Sequence, residues 1–348
     1  MTYRYRQTLP ATALDIIGDV HGEFAALQSL LHHLGYRDNG SHPQGRKLVF
    51  VGDLCDRGPD SPAVLAWFKQ AHDGGHAFMV LGNHELNALV GEPKDGSGWY
   101  FPCRAEKDGR QYAPWKMLPE ADKTALNAWL AEQPLVLARD DIRIVHAAWL
   151  PESLAALEAA DEPLLAQYRR YDDELVHALQ TASWYGDYLQ EQEKHAEALE
   201  NADMLPPPMP ATAKYELARS RLHPIRALTS GAEIIAPAPF YAGGRWRYTA
   251  RSAWWNHYHE RVPVLVGHYW RHWYPRDADP HRENLMPPQS NAWHGAAHNV
   301  FCLDYSVGAR WRDRKAGIAP AHSEFRLAAM RWPERVLVFD DGEVAATV

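Results

Sequence analysis

Cysteine is scarce in this chain. Only Cys55, Cys103 and Cys302 occur in 348 residues, far apart and odd in number, which excludes a disulfide framework and a CxxC zinc site and fits a reducing compartment. Long apolar runs are missing as well. Nothing approaches the roughly 20 apolar residues of a membrane span, and the opening MTYRYRQTLPATALDIIGDVHG has no apolar secretion core, so a cytoplasmic protein is expected. Nor is there an excess of basic charge: 36 Lys and Arg stand against 44 Asp and Glu, a formal charge of -8. Generic polyanion binding is therefore not expected, which counts against a nucleic-acid module, and any phosphate recognition must be local. What the chain does have is 46% hydrophobic residues, enough for a sizeable core, with 19 histidines and 14 tryptophans that only position can divide between ligands and packing.

Through residue 150, short apolar runs alternate with amphipathic stretches. Leu14 to Val20 is followed by helical spacing of Phe24, Leu27, Leu30, Leu31 and Leu34, then by the run Lys47 to Val51. Helices are expected from about Pro62 to His72 and Ala121 to Gln133, and further strands at Ala77 to Leu81, Leu135 to Ala138 and Ile142 to Val145. This is α/β patterning. Residues 151 to about 205 read as continuously helical and charged until PPPMP breaks them. The α/β pattern resumes with Val262 to Gly267 and closes with FCLDYSVG, FRLAAMRW and RVLVFDD, three runs compatible with strands. The expected division is a core of residues 1–150 and 262–348 around an inserted cap region, 151–261.

The chemistry sits directly past the apolar runs, where open α/β sheets place ligand-binding groups. Asp19 and His21, two residues apart in an extended strand end, would face one side and could grip one cation. Gly52-Asp53-Leu54-Cys55-Asp56-Arg57-Gly58 carries a carboxylate able to bridge two metals, a second acid able to orient a histidine, and a guanidinium suited to phosphate oxygens. Gly82-Asn83-His84-Glu85 adds an amide oxygen and a possible general acid. His146 and His268 follow two further buried runs. Singly, each element reads as well as a capped turn or a packed histidine; five such ends in order do not.

GDVHG, GDLCDRG, GNHE, VH and GH together resemble the signature of calcineurin-like metallophosphoesterases, in the phosphoprotein phosphatase branch. HPQGRKLVFVGDLCDRGPDSPAVL is similar to the bacterial subgroup of diadenosine polyphosphate hydrolases and polynucleotide kinase-phosphatase phosphatase domains, whereas Glu85 in GNHE is more like the protein phosphatases. The resemblance covers about residues 14 to 150 and 262 to 310. It implies a two-sheet α/β sandwich flanked by helices, here with an inserted, mainly helical cap. It also implies that Asp19, His21 and Asp53 bind one divalent metal and that Asp53, Asn83, His146 and His268 bind a second. His84 would protonate the leaving oxygen with Asp56 orienting it, Arg57 would bind phosphate, and a hydroxide held between the metals would attack phosphorus. Manganese is the metal expected first, with iron, zinc and magnesium as alternatives. Where the family has VHAG, this chain has His146-Ala147-Ala148-Trp149, so the substrate contact after His146 is altered.

The expected substrate is a phosphorylated small molecule, a nucleotide or dinucleoside polyphosphate, or a phosphoprotein. A non-catalytic scaffold is the alternative from another class, against which every ligand and the acid histidine are in place. Before His268, Arg245, Arg247, Arg251, Arg261 and Arg271 interleave with Trp246, Trp254, Trp255, Tyr269, Trp270 and Trp273. That segment is either an electropositive mouth with aromatic faces, with Arg251 as a second phosphate clamp, or packing with ion-paired arginines.

Overall fold

Three neighbouring parallel strands set the frame for the site: β2 (Leu14–Ile17), β3 (Lys47–Phe50) and β4 (Ala77–Met79). Their residues are almost all buried, as a parallel sheet covered on both faces requires. The computed structural model describes residues 4–242, 244–273, 285–286 and 289–348.

The first strand of the chain, β1 (Arg6–Thr8), joins a five-stranded sheet with β5 (Val136–Arg139), β6 (Ile142–Val145), β9 (Val264–Val266) and β10 (Val300–Cys302), in the order β1-β5-β6-β9-β10. The second sheet adds β11 (Ala328–Trp332), β12 (Val336–Phe339) and β13 (Val344–Ala346) to the frame, in the order β13-β12-β11-β2-β3-β4. One continuous core draws Leu14, Ile16, Val49, Met330 and Phe339 from one sheet and Leu137, Ile144, Leu265 and Phe301 from the other. The α/β sandwich is thus two sheets closed over a shared apolar layer.

Helices Phe24–Leu34 and Ser61–Asp73 form where apolar residues recur at helical spacing. Asp60 caps the second by accepting the Ala63 N–H, with Pro62 inside its first turn. Strand ends shift by up to three residues from the sequence expectation. The exception is FCLDYSVG, of which only Phe301 and Cys302, the end of β10, are strand.

Two compact units emerge: residues 3–147 with 255–348, which hold both sheets, and residues 148–254. The second contains helices Pro151–Glu158, Leu164–Thr181, Tyr185–Lys194 and Pro210–Arg221, and also an antiparallel hairpin, β7 (Glu233–Ala242) with β8 (Arg245–Arg251). The hairpin was not anticipated. Pro237 and Pro239 interrupt β7 where the pairing shifts between Ile235 and Phe240, which hid its strand pattern.

Candidate metal centre

Five strand ends deliver five sets of donors to one place in the first unit. Asp19 and His21 follow β2, Asp53 follows β3, and Asn83 follows β4; His146 and His268 follow β6 and β9, which pair in parallel in the other sheet. Close approach of these loops depends on glycine. A Cβ on Gly52, at φ +99°, would come within 2.8 Å of His146 Nδ1, and one on Gly267 within 1.9 Å of Asp19 Oδ1.

Asp53 is the centre of the cluster. Its Oδ2 lies 3.2 Å from His146 Nε2 and 3.8 Å from both His21 Nε2 and His84 Nε2. His21, Asp53 and His84 offer ligand atoms within 4.8 Å of one another, and so do Asp53, His146 and His268. Asn83 Oδ1 joins the second group at 3.2 Å from His146 Nε2 and 3.0 Å from His268 Nδ1. Asp19 enters through Oδ2, which accepts the His268 N–H at 3.0 Å, while its Oδ1 is buried without a hydrogen-bond partner. The structure therefore brings together all six expected ligands and adds His84 to the first group.

Each ring is aimed from behind. His21 Nδ1 donates to the Cys55 carbonyl at 3.0 Å and His146 Nδ1 to the Val51 carbonyl at 2.7 Å, which turns both Nε2 atoms toward Asp53. His84 Nδ1 donates to Asp56 Oδ2 at 2.5 Å. Arg57 Nη1 donates to His21 Nε2 at 2.8 Å, and its guanidinium lies 4.8 Å from the ring centre of half-buried Trp270. Strain gathers here too: of nine non-glycine residues with positive φ among the described residues, six are His21, Asp53, Asp56, Arg57, His268 and Trp270. Such concentration marks functional sites.

The electrostatics call for a cation. Burial and the neighbouring Asp304 push the Asp19 carboxyl well above the usual carboxylate range. Burial opposes ionisation of Asp53 also, but the imidazoles of His146, His84 and His21 outweigh it and hold that carboxyl well below the range. In turn Asp53 overcomes the burial of His146 and lifts it to about 10. Burial, with Arg57 and His84, lowers His21 well below the ordinary imidazole value. Buried carboxylates that borrow positive charge from a histidine, a carboxylate oxygen with no partner, and a donor set of nitrogen and oxygen without thiolate all fit borderline divalent ions.

Two further residues shape this region from outside the expected site. Asp304 lies in a run expected to be strand, although it too follows apolar residues. Its carboxylate accepts the N–H of Trp270 and of Ser306, each at 2.9 Å, and so holds the loop that carries His268. Trp99, whose indole N–H donates to Asp56 Oδ1, belongs to no motif. Of the aromatic and basic segment, Trp254, Trp255, Tyr269, Trp273 and Arg271 are buried, Arg271 against Phe301 and Tyr305, so these five serve packing. Arg251 ends β8 in the second unit, opposite Glu233. The tail of the segment, 274–276, lies outside the described residues.

Comparison with known proteins places the chain in a family. The model of calcineurin-like phosphoesterases matches residues 13–204, over half of the chain, and the chain belongs to that family. It is 36% identical over 144 residues to a symmetrical bis(5'-nucleosyl)-tetraphosphatase of Janthinobacterium sp., covering 41% of this chain and 46% of that protein. It is 47% identical over 74 residues to an asymmetrical bis(5'-nucleosyl)-tetraphosphatase of Oceanobacillus iheyensis, covering 20% of this chain and 30% of that one. The match thus spans under half the length of either relative. A solved cold-active protein-tyrosine phosphatase of a psychrophilic Shewanella shares the fold, with a TM-score of 0.50 at 16% identity over 99% of this chain and 82% of that one.

Proposed function

We propose that this calcineurin-like phosphoesterase works with two divalent cations, Asp19, His21 and Asp53 holding one and Asp53, Asn83, His146 and His268 the other. The observation that carries this reading is Asp53, whose single carboxylate is shared by both donor groups. Manganese is the first candidate, and iron, zinc and magnesium suit the same donors. When bound, such a pair supplies a water ionised near neutral pH and positive charge for the phosphoryl oxygens.

The remaining steps are the chain's own. Arg57, levelled on Trp270, presents its guanidinium to the phosphate in place of His21 Nε2. His84, its Nδ1 proton held by Asp56, gives the proton at Nε2 to the departing oxygen. The backbone around Asp53 and Asn83 is fixed before substrate arrives, so little reorganisation accompanies the reaction. The substrate class we favour is a nucleotide or dinucleoside polyphosphate, supported by the names of the relatives; a phosphoprotein is the competing class. The segment 151–261 is taken as an inserted cap that selects among substrates, with Arg251 as a second phosphate contact, and its charge interleaved with aromatics supports that assignment. Cytoplasmic residence belongs to the same proposal and is supported by three free cysteines. Among the described residues no helix is long and apolar enough to cross a membrane.

Turnover of diadenosine tetraphosphate, p-nitrophenyl phosphate and a phosphopeptide, each with added manganese, tests the proposal. Preference for the dinucleotide is expected. Preference for the phosphopeptide would move the substrate class, and no metal-dependent turnover of any of the three would remove the enzymatic reading in favour of a scaffold.

A further inference from the structure

We infer that Trp99 is a positioning residue for proton donation, acting through Asp56; this rests on the assignment of His84 as the acid. Trp99 is 2% exposed, in the turn Ser97–Trp99, and its indole N–H donates to Asp56 Oδ1. The other oxygen of the same carboxylate takes the His84 Nδ1 proton at 2.5 Å. An indole N–H can only donate, and it does so from a rigid plane. The terminal torsion of an aspartate is otherwise broad, so an Asp56 held at one oxygen alone would swing and carry the imidazole with it. Its backbone is fixed as well, by donation of the Asp56 N–H to Ser61 Oγ at 2.9 Å.

The turn that carries Trp99 also grips the next residue of the motif. Gly96 accepts the Arg57 N–H at 3.0 Å, and a Cβ on Gly96, at φ +84°, would stand 2.6 Å from Arg57 Cγ. The turn is itself tied down: Ser97 Oγ donates to the Lys94 carbonyl at 2.6 Å, and the Gly98 N–H donates to Asp108 Oδ2 at 2.8 Å. Asp108 is in turn paired with Arg104 at 2.6 Å. Residues 94–108 thus form one brace, lying outside all five motifs, against which both the acid's orienting carboxylate and the phosphate arginine are set.

Trp99→Phe keeps most of the bulk and removes the N–H. The test measures kcat and KM on phenyl phosphate and p-nitrophenyl phosphate, with manganese, for the wild type, Trp99→Phe, Asp56→Asn, their double variant and His84→Asn. Phenyl phosphate, with the more basic leaving oxygen, depends more on a proton donor. Trp99→Phe should lower kcat on it about tenfold, a part of the roughly 10²- to 10⁴-fold of acid–base catalysis, with a smaller loss on p-nitrophenyl phosphate and with KM and bound metal unchanged. In the Asp56→Asn background it should cost nothing further. Equal losses on the two esters, or losses that add to those of Asp56→Asn, would overturn the role of Trp99 alone. If His84→Asn itself shows no leaving-group dependence, the acid assignment fails and takes this inference with it. Trp99→His, which retains a ring N–H, carries the comparison if Trp99→Phe does not fold; it should keep the wild-type dependence, and losing it with the fold intact would count against the inference.

Discussion

The carboxylate of Glu85 accepts the backbone N–H of Asp53 at 2.9 Å, and the same side chain accepts from Leu54 at 2.7 Å and from Gly82 at 3.0 Å. One buried side chain therefore fixes the distance between the end of β3, which supplies Asp53, and the end of β4, which supplies Asn83.

Glu85→Gln replaces one acceptor oxygen with an amide that meets backbone donors with more donors. Loss of such outer partners typically costs about 10- to 100-fold in metal affinity. Manganese affinity of the variant, by isothermal titration, should fall within that range, and an unchanged affinity would show that the loops hold their spacing without Glu85.

His84→Asn leaves the two donor groups without their candidate acid. Turnover should fall roughly 10²- to 10⁴-fold while metal content stays at the wild-type level. Loss of metal in this variant would instead make His84 a ligand, a role its place beside His21 and Asp53 also permits.

The folds of the sequence that could be read ahead of the structure were those with a strong period or a strand end marked by glycine. The five donor sets stood out because Gly18, Gly52, Gly82 and Gly267 each precede a polar residue at the end of an apolar run. The apolar runs that became strands were legible for the same reason. Trp99 was not legible: a lone indole in a loop looks like any other core tryptophan, and only the fold reveals that its N–H meets Asp56. Asp304 had the right signal, an acid past a buried run, but no histidine or glycine beside it to separate it from a turn. The β7–β8 hairpin was masked by prolines in a strand whose side chains are largely exposed, so neither alternation nor propensity marked it.

Arg57→Ala removes the guanidinium that the reading gives to phosphate. KM should rise and kcat fall together, with kcat/KM down about 10²-fold, corresponding to roughly 1.5–3 kcal/mol for a hydrogen bond to a charged group. Trp270→Leu should produce a smaller change in the same direction, because it loosens the arginine without deleting it. Steady-state kinetics on p-nitrophenyl phosphate separates the two.

Acid sensitivity is expected from a residue far in sequence from the ligands. His294 is buried with neither ring nitrogen hydrogen-bonded, and burial, with Arg271 second, lowers it to about 3. It is neutral in the fold, whereas the unfolded chain takes up a proton near pH 6.5. Its contribution is therefore fully present above pH 6.5 and is lost as pH falls toward 3, by up to about 1.4 kcal/mol per pH unit. His294→Phe, which keeps the stacking on Phe301, should show a shallower fall in stability between pH 6.5 and 4 in denaturant titrations than the wild type does. Parallel pH profiles would contradict the assignment.

The most direct test of the central claim is the number of manganese ions bound per chain, measured by elemental analysis after equilibrium dialysis of the wild type and of Asp53→Asn. Two ions per wild-type chain and loss of both in the variant are predicted, because one carboxylate serves both donor groups. A wild-type chain that binds one ion or none, or an Asp53→Asn variant that keeps two, would contradict the shared site.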